Sequence, residues 1–201
     1  MSQHTDSRDQ ILGQAQRLFM EQGFRGISMR QIAEQVGLTK AALYYHFRDK
    51  EELFVAIVER YLAHIAEVVD QASAQGENCR ARLTAIVHAI LTQPVEERSI
   101  LRLASQELSN ISPEARGRFL LLYHEKFIGR LTALLEAGMA SGELRAIDAR
   151  LATWTLLGMM YPHFNSSPSI GQMMDEAQIA ALVSIYFDGL AACCPPGQLA
   201  R

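Results

Sequence analysis

Helix starts are signposted four times within the first fifty residues, and that density restricts the front of the chain to short helices. Ser7-Arg-Asp-Gln10 and Ser28-Met-Arg-Gln31 both have the form of a capping box. In it a hydroxyl accepts the amide three residues on, and a glutamine returns a bond to the cap. Thr39 and Asp49, the latter with Glu52 three residues behind it, supply two more caps. Apolar residues follow at helical spacing: Ile11, Leu12, Ala15, Leu18 and Phe19 after the first cap, Ile32, Ala33 and Val36 after the second. Gly23 and Gly37 stop these two helices. A third is expected over about Lys40 to Phe47. The fourth reads as a long amphipathic rod through Leu53, Ile57, Tyr61, Ile65 and Val69.

Behind Gly76 the pattern predicts helices over about Cys79–Thr92, Val95–Leu108, Pro113–Ala140, Asp148–Tyr161 and Met173–Ala191. Ser112 before Pro113 suits a cap followed by proline in the first turn. Ser141-Gly142 and Asn165–Gly171 read as breaks, and the long stretch over 113–140 has room for a kink near Gly129. No β-alternation competes. The expected fold class is all-α: a three-helix module of short helices in front, joined by a long helix to a C-terminal bundle of longer helices. The expected boundaries are 7–50 and 51–194. With 201 residues, 49% of them hydrophobic, the chain has ample material for a core.

The formal net charge of −3 argues at first against a polyanion partner, but the charge is unevenly spread. Residues 1–50 carry seven basic and five acidic side chains, and the rest carry twelve and seventeen. Only the front quarter suits nucleic acid. The polar start and the lack of a long uncharged apolar run predict no export signal and no membrane partner. Three cysteines, Cys79, Cys193 and Cys194, have no metal-ligand spacing, so a reducing, cytoplasmic setting is expected, with no structural disulfide, no metal and no cofactor. The sequons at Asn110 and Asn165 carry no weight in such a chain.

The segment from Ser28 to Lys50 carries the function. Two short helices around Val36-Gly37-Leu38-Thr39 form a helix-turn-helix. On a helical wheel, Leu43 and Phe47 point into the core of the module. Ala41 and Tyr45 face away, flanked by Ala42 and Tyr44, with His46 nearer the core edge and Lys40 at the leading end. This slim face with hydroxyls suits the major groove of B-form DNA. The starts of the third and fourth helices offer backbone N–H groups to phosphate. Thr39, Tyr45, His46 and Lys50 sit where such contacts fix orientation, and Ser28, at the cap of the second helix, is placed with them. Arg30 is the first candidate for a base edge, with Lys40 and Tyr44 behind it. Loss of Arg30 is expected to relax sequence preference, and loss of Lys50 to weaken all DNA about equally.

Residues 10–57, in ILGQAQRLFMEQGFRGISMRQIAEQVGLTKAALYYHFRDKEELF, resemble the N-terminal domain of the TetR/AcrR family of bacterial transcriptional regulators. Ala15, Phe19, Gly23, Ser28, Ile32-Ala33, Gly37 and Leu43-Tyr44-Tyr45-His46-Phe47 before Lys50 carry the resemblance. Ala41 departs from the glycine often found there, a change a helix accepts. The resemblance implies a homodimeric DNA-binding regulator, usually a repressor, released by a small ligand bound in the C-terminal bundle. It also implies pairing through the last two helices.

A dimer with reading heads about 34–36 Å apart would read a palindrome. Leu151, Trp154, Leu157 and Gly158 on one late helix, and Ile179, Leu182, Val183, Tyr186 and Phe187 on the next, are the candidate dimerisation residues, with a monomer core as the competing use of the same stripes. The candidate ligand-binding residues are His88, Arg102, Gln106, Asn110, Tyr123, Phe127, Trp154, Met159, Tyr161 and His163, with Met160 beside them. Such a lining suits a largely hydrophobic effector with one or two polar handles, and Arg98 or Arg102 can meet an anionic one. A ligand that prefers a wider spacing of the heads would draw the dimer off DNA, provided its affinity differs between the two states.

Catalysis has no foothold in the pattern. His124-Glu125 begins like a zinc-protease helix, but position 128 is Ile, so the second ligand is missing, and no glycine-rich phosphate loop follows a strand. A helical adaptor using the front module for protein contacts is the other reading, and the salt dependence of DNA binding separates the two. Repression and activation stay open, because the choice depends on where the operator lies.

Overall fold

The computed structural model describes residues 2–164 and 174–190. All the regular structure among them is helical. The α-helices are α1 Ser2–Gly26, α2 Met29–Gln35, α3 Lys40–His46, α4 Lys50–Ser73, α5 Cys79–Leu91, α6 Val95–Glu107, α7 Pro113–Tyr123, α8 Gly129–Ala140, α9 Ala149–Met160 and α10 Glu176–Leu190. The described residues form two compact units, those up to 64 with 96–123, and 65–95 with those from 124 onward. The long helix α4 contributes to both.

The first unit is organised by glycine stops and caps. Helix α1 begins at Ser2, so Ser7 lies inside it and does not open it, which corrects the first capping box. Ile11, Leu12, Ala15 and Phe19 form its buried face. Gly23 breaks the helix at φ +73°, a conformation open to glycine at no steric cost. Helix α2 starts with the expected box: the Gln31 amide donates to Ser28 Oγ at 3.3 Å and the Ser28 amide donates to Gln31 Oε1 at 2.9 Å. It ends in a Schellman turn, with the Leu38 amide on Ala33 O at 2.9 Å and the amide of Gly37, at φ +72°, on Glu34 O at 3.3 Å. Phe19, Phe24 and Phe54 make an aromatic cluster with ring centroids 5.3 to 5.8 Å apart, which packs α1 and the α1–α2 joint against α4. The cap at Ser112 also holds, its Oγ accepting the Ala115 amide at 3.2 Å.

In the second unit α8 packs between α5 and α9, and α10 lies against α5. Close approach of α8 and α5 depends on Gly138, where a Cβ would come within 2.6 Å of Cys79 Sγ. Thr132 and Thr153 share a hydrogen bond of 2.9 Å between α8 and α9. The irregularity expected near Gly129 is a π turn over His124–Ile128, and a Cβ on Gly129 would press on the His124 carbonyl oxygen at 3.0 Å. Cys193, Cys194, the second sequon and the expected break over 165–171 lie outside the described residues.

Candidate nucleic-acid interface

Helix α3 is seven residues long and is held from beneath. Leu43 and Phe47 are fully buried, and the Arg8 guanidinium lies 5.1 Å over the Phe47 ring. Thr39 Oγ1 caps the helix by accepting the Ala42 amide at 3.1 Å. The opposite face is presented to solvent: Ala41 is exposed, Ala42 half-buried, Tyr44 exposed, and Tyr45 is 80% exposed. Lys40 Nζ lies 5.6 Å over the Tyr44 ring, and Tyr45 meets His46 edge-on at 5.4 Å. An exposed helical face of two small residues, two phenols and a cation offers donors and stacking surfaces without bulk.

On α2, the exposed Arg30 pairs with Glu34, its Nε 2.8 Å from Oε1. That hydrogen bond, with the charge of Glu34, raises the guanidinium's pKa. A surface pair of this kind is weak and exchangeable, so it does not withhold Arg30 from a base edge. Ser28 is committed to its cap, with Oγ also on Gln31 Oε1 at 2.7 Å.

Lys50 differs from the expectation. Its ammonium donates to the carbonyls of Phe24 at 2.6 Å and Ile27 at 2.8 Å and lies 4.5 Å over the Phe24 ring. Partial burial holds its pKa below the usual lysine value, against the pull of Glu107. Lys50 therefore fastens the α1–α2 joint, leaving one hydrogen for a phosphate. The start of α4 is also less open than expected. Asp49 Oδ1 accepts the Glu52 amide at 2.8 Å, and Glu52 Oε2 accepts the Arg48 amide at 2.8 Å. Burial pushes the Asp49 carboxyl up, but the Glu52 amide and the Arg48 guanidinium hold it below the usual carboxylate range. Carboxylates thus occupy part of the start of α4. Arg48 and Arg8 are two exposed cations beside α3 that sequence reasoning missed. The signal was the position of Arg48, directly after the last core residue of the helix.

The candidate ligand residues divide between the two units. In the first, Arg102 Nη1 donates to Gln106 Oε1 at 2.8 Å on the surface, Asn110 Nδ2 donates to Glu107 Oε2 at 2.5 Å, and Tyr123 stacks on Phe119 at 5.6 Å. Arg98 is fully buried there, and burial lowers its pKa. In the second unit Phe127 is buried, His88, Met159 and His163 are half-buried, and Trp154 and Tyr161 are exposed. Gln106, Trp154 and Tyr161 thus lie on the surface of the single chain rather than in an enclosed lining.

The dimerisation stripes are sorted by burial. Ile179, Leu182, Val183, Tyr186 and Phe187 of α10, and Leu157 of α9, are core residues of the chain itself, with the Tyr186 hydroxyl donating to Ala152 O at 3.0 Å. The monomer-core alternative thus accounts for these six. Leu151 at 63% exposure, Trp154 at 51% and the exposed Gly158 remain on the surface of α9, continued by Tyr161, and Ile185 of α10 is exposed at 66%.

A three-helix head with an exposed recognition helix, followed by an all-helical second part, defines a helix-turn-helix DNA-binding protein. Residues 11–57 match the model described as "Bacterial regulatory proteins, tetR family", and residues 76–164 match "Tetracyclin repressor-like, C-terminal domain". The chain is 35% identical to the HTH-type transcriptional regulator AcrR of Shigella flexneri, over 90% of this chain and 89% of that one. It is 27% identical to the HTH-type transcriptional repressor KstR2 of Rhodococcus jostii strain RHA1, over 92% and 91%. Its fold superposes with a TM-score of 0.75 on AibR, solved with isovaleryl coenzyme A and operator DNA, at 24% identity over 89% of this chain and 97% of that one. The chain belongs to the TetR/AcrR family of transcriptional regulators, and it is a DNA-binding regulator rather than an enzyme. Among the described residues no helix is long and apolar enough to cross a membrane, and no cluster of three His, Cys, Asp or Glu side chains is placed to hold a metal.

Proposed function

We propose that the chain is a homodimeric repressor that reads a palindromic operator through α3 and leaves it when a small, largely hydrophobic effector binds. The observation that carries the reading is the exposed face of Lys40, Ala41, Tyr44 and Tyr45 above the buried Leu43 and Phe47. In this reading Ser28, Arg30, Thr39, Ala42, His46 and Lys50 complete the interface, and the functional boundary falls between the head, 7–50, and the rest, 51–194. Pairing uses the surface apolar strip Leu151, Trp154, Gly158 and Tyr161 with Ile185, because water-exposed apolar side chains in one strip gain most from a second copy. The repressor sense is supported by KstR2, a repressor matched over nearly its whole length. The effector class is supported, within the second unit, by the buried Phe127 and the half-buried His88, Met159 and His163, which suit an apolar body with a polar handle.

The test is selection of genomic fragments by the purified protein at near-physiological salt. The expected result is enrichment of one or a few palindromes, with affinity falling steeply as salt rises through counterion release. Uniform retention of all fragments, or none at any salt, would favour the adaptor reading instead.

A further inference from the structure

The α1–α2 joint, residues 23–28, sets the direction in which the helix-turn-helix leaves α1, and its main chain is gripped by two oppositely charged side chains from distant helices. Gly23, at φ +73°, turns the Phe24 amide toward α6, where it donates to Glu107 Oε1 at 3.1 Å. From α4, Lys50 holds the Phe24 carbonyl at 2.6 Å and the Ile27 carbonyl at 2.8 Å. Phe24 and Ile27 are themselves buried, at 5% and 2% exposure, so these backbone groups need partners from the protein. Glu107 and Lys50 also attract each other across the joint. The other oxygen of Glu107 takes Asn110 Nδ2 at 2.5 Å, which fixes the carboxylate. Two residues on, Ser112 donates to Glu51 through both its amide, at 2.9 Å, and its hydroxyl, at 2.5 Å. The α6–α7 connection is thus fastened to the reading head at two points, Phe24 and the first turn of α4.

We infer that Glu107 is a positioning residue for DNA reading. By fixing the Phe24 amide opposite Lys50 it sets the exit angle of α2 and, through the α2–α3 packing, the presentation of Arg30 and α3. Asn110 is the second member of this device, not part of a ligand lining. The inference rests on the reading that α3 faces DNA.

The experiment compares wild type, Glu107→Gln, Glu107→Ala, Gly23→Ala and the Gly23→Ala/Glu107→Ala double variant, each as the full chain, on the duplex that selection recovers. Affinity is measured well below the unfolding temperature, together with hydrogen exchange at the Phe24 amide. Ile100→Val, a mild core change on the same helix, is the control for a purely structural loss. Glu107→Ala is expected to lose about tenfold in DNA affinity, the scale of one hydrogen bond to a charged group. The Phe24 amide should lose its protection at the same time. Glu107→Gln keeps an acceptor and should recover most of both. The double variant is expected to bind no worse than the weaker single variant, because both changes break the same joint. Ile100→Val should leave DNA affinity and the Phe24 amide unchanged. Wild-type affinity in Glu107→Ala, additive losses in the double variant, or an equal loss in Ile100→Val would overturn the positioning role. Failure of wild type to retain any duplex, with the Phe24 amide still protected through Glu107, would instead strike the DNA-reading assignment beneath it.

Discussion

Helices α3 and α9 both expose aromatic side chains, yet the balance of polar and apolar groups beside those rings differs. On α3, Tyr44 and Tyr45 stand beside Lys40, with Arg48 just beyond, and the small residues Ala41 and Ala42 keep the face slim. On α9 the exposed apolar residues are Leu151, Trp154, Gly158 and, one turn on, Tyr161, with Arg150 at the first turn as the one exposed cation of the helix and Thr155 beside them. Exposure alone therefore does not define a partner. A face of hydroxyls and positive charge gains from an anionic groove, where phosphate and base edges satisfy its donors. An apolar strip gains from a matching apolar strip, and a second copy supplies one by symmetry. Beneath each face the support is alike: Leu43 and Phe47 under α3, Leu156 and Met160 under α9, all buried.

That contrast can be broken from either side. The largest expected effect is Phe47→Ala, which removes the buried foot of α3 together with its contact to Arg8. It should cost about 3–5 kcal/mol of stability, read by chemical denaturation, and abolish operator binding. Next is Trp154→Glu on the α9 strip. It should weaken self-association by roughly thirtyfold or more in sedimentation equilibrium, while the helical content of the monomer stays intact because Trp154 is half exposed already. Arg30→Ala should cut affinity for the selected duplex by about ten- to a hundredfold and leave a scrambled duplex nearly unaffected, with no change in dimerisation. An equal loss on both duplexes would remove Arg30 from base reading. The smallest effect is Ser28→Ala, which loses one cap of a short helix and should cost about 1 kcal/mol in thermal unfolding.

The head was legible because its signals are local. The caps at Ser28, Thr39 and Asp49 and the stops at Gly23 and Gly37 all act within a few residues, and the periodicity of Leu43 and Phe47 named their buried side correctly. Ser7 misled because a good cap sequence is only a local option, and here α1 continues through it. The late helices were harder for a different reason. Periodicity reveals that Ile179, Leu182, Val183, Tyr186 and Phe187 share one side of α10, but not whether that side meets its own chain or another. In the structure its own chain covers it, and Ile185 on the exposed side had only the small Ala177 and Ala181 at helical spacing to mark it. The bonds of Lys50 to Phe24 and Ile27, and of Asn110 to Glu107, were not legible, because these partners are joined by packing rather than by any repeating pattern.

The most direct test of the account is equilibrium binding of Tyr44→Ala/Tyr45→Ala to the selected palindrome, with sedimentation run on the same samples. Both side chains are exposed in the single chain, so their loss leaves the fold and the α9 strip untouched. The account predicts a loss of about tenfold or more in operator affinity with an unchanged dimer. Undiminished affinity, with the dimer intact, would contradict it.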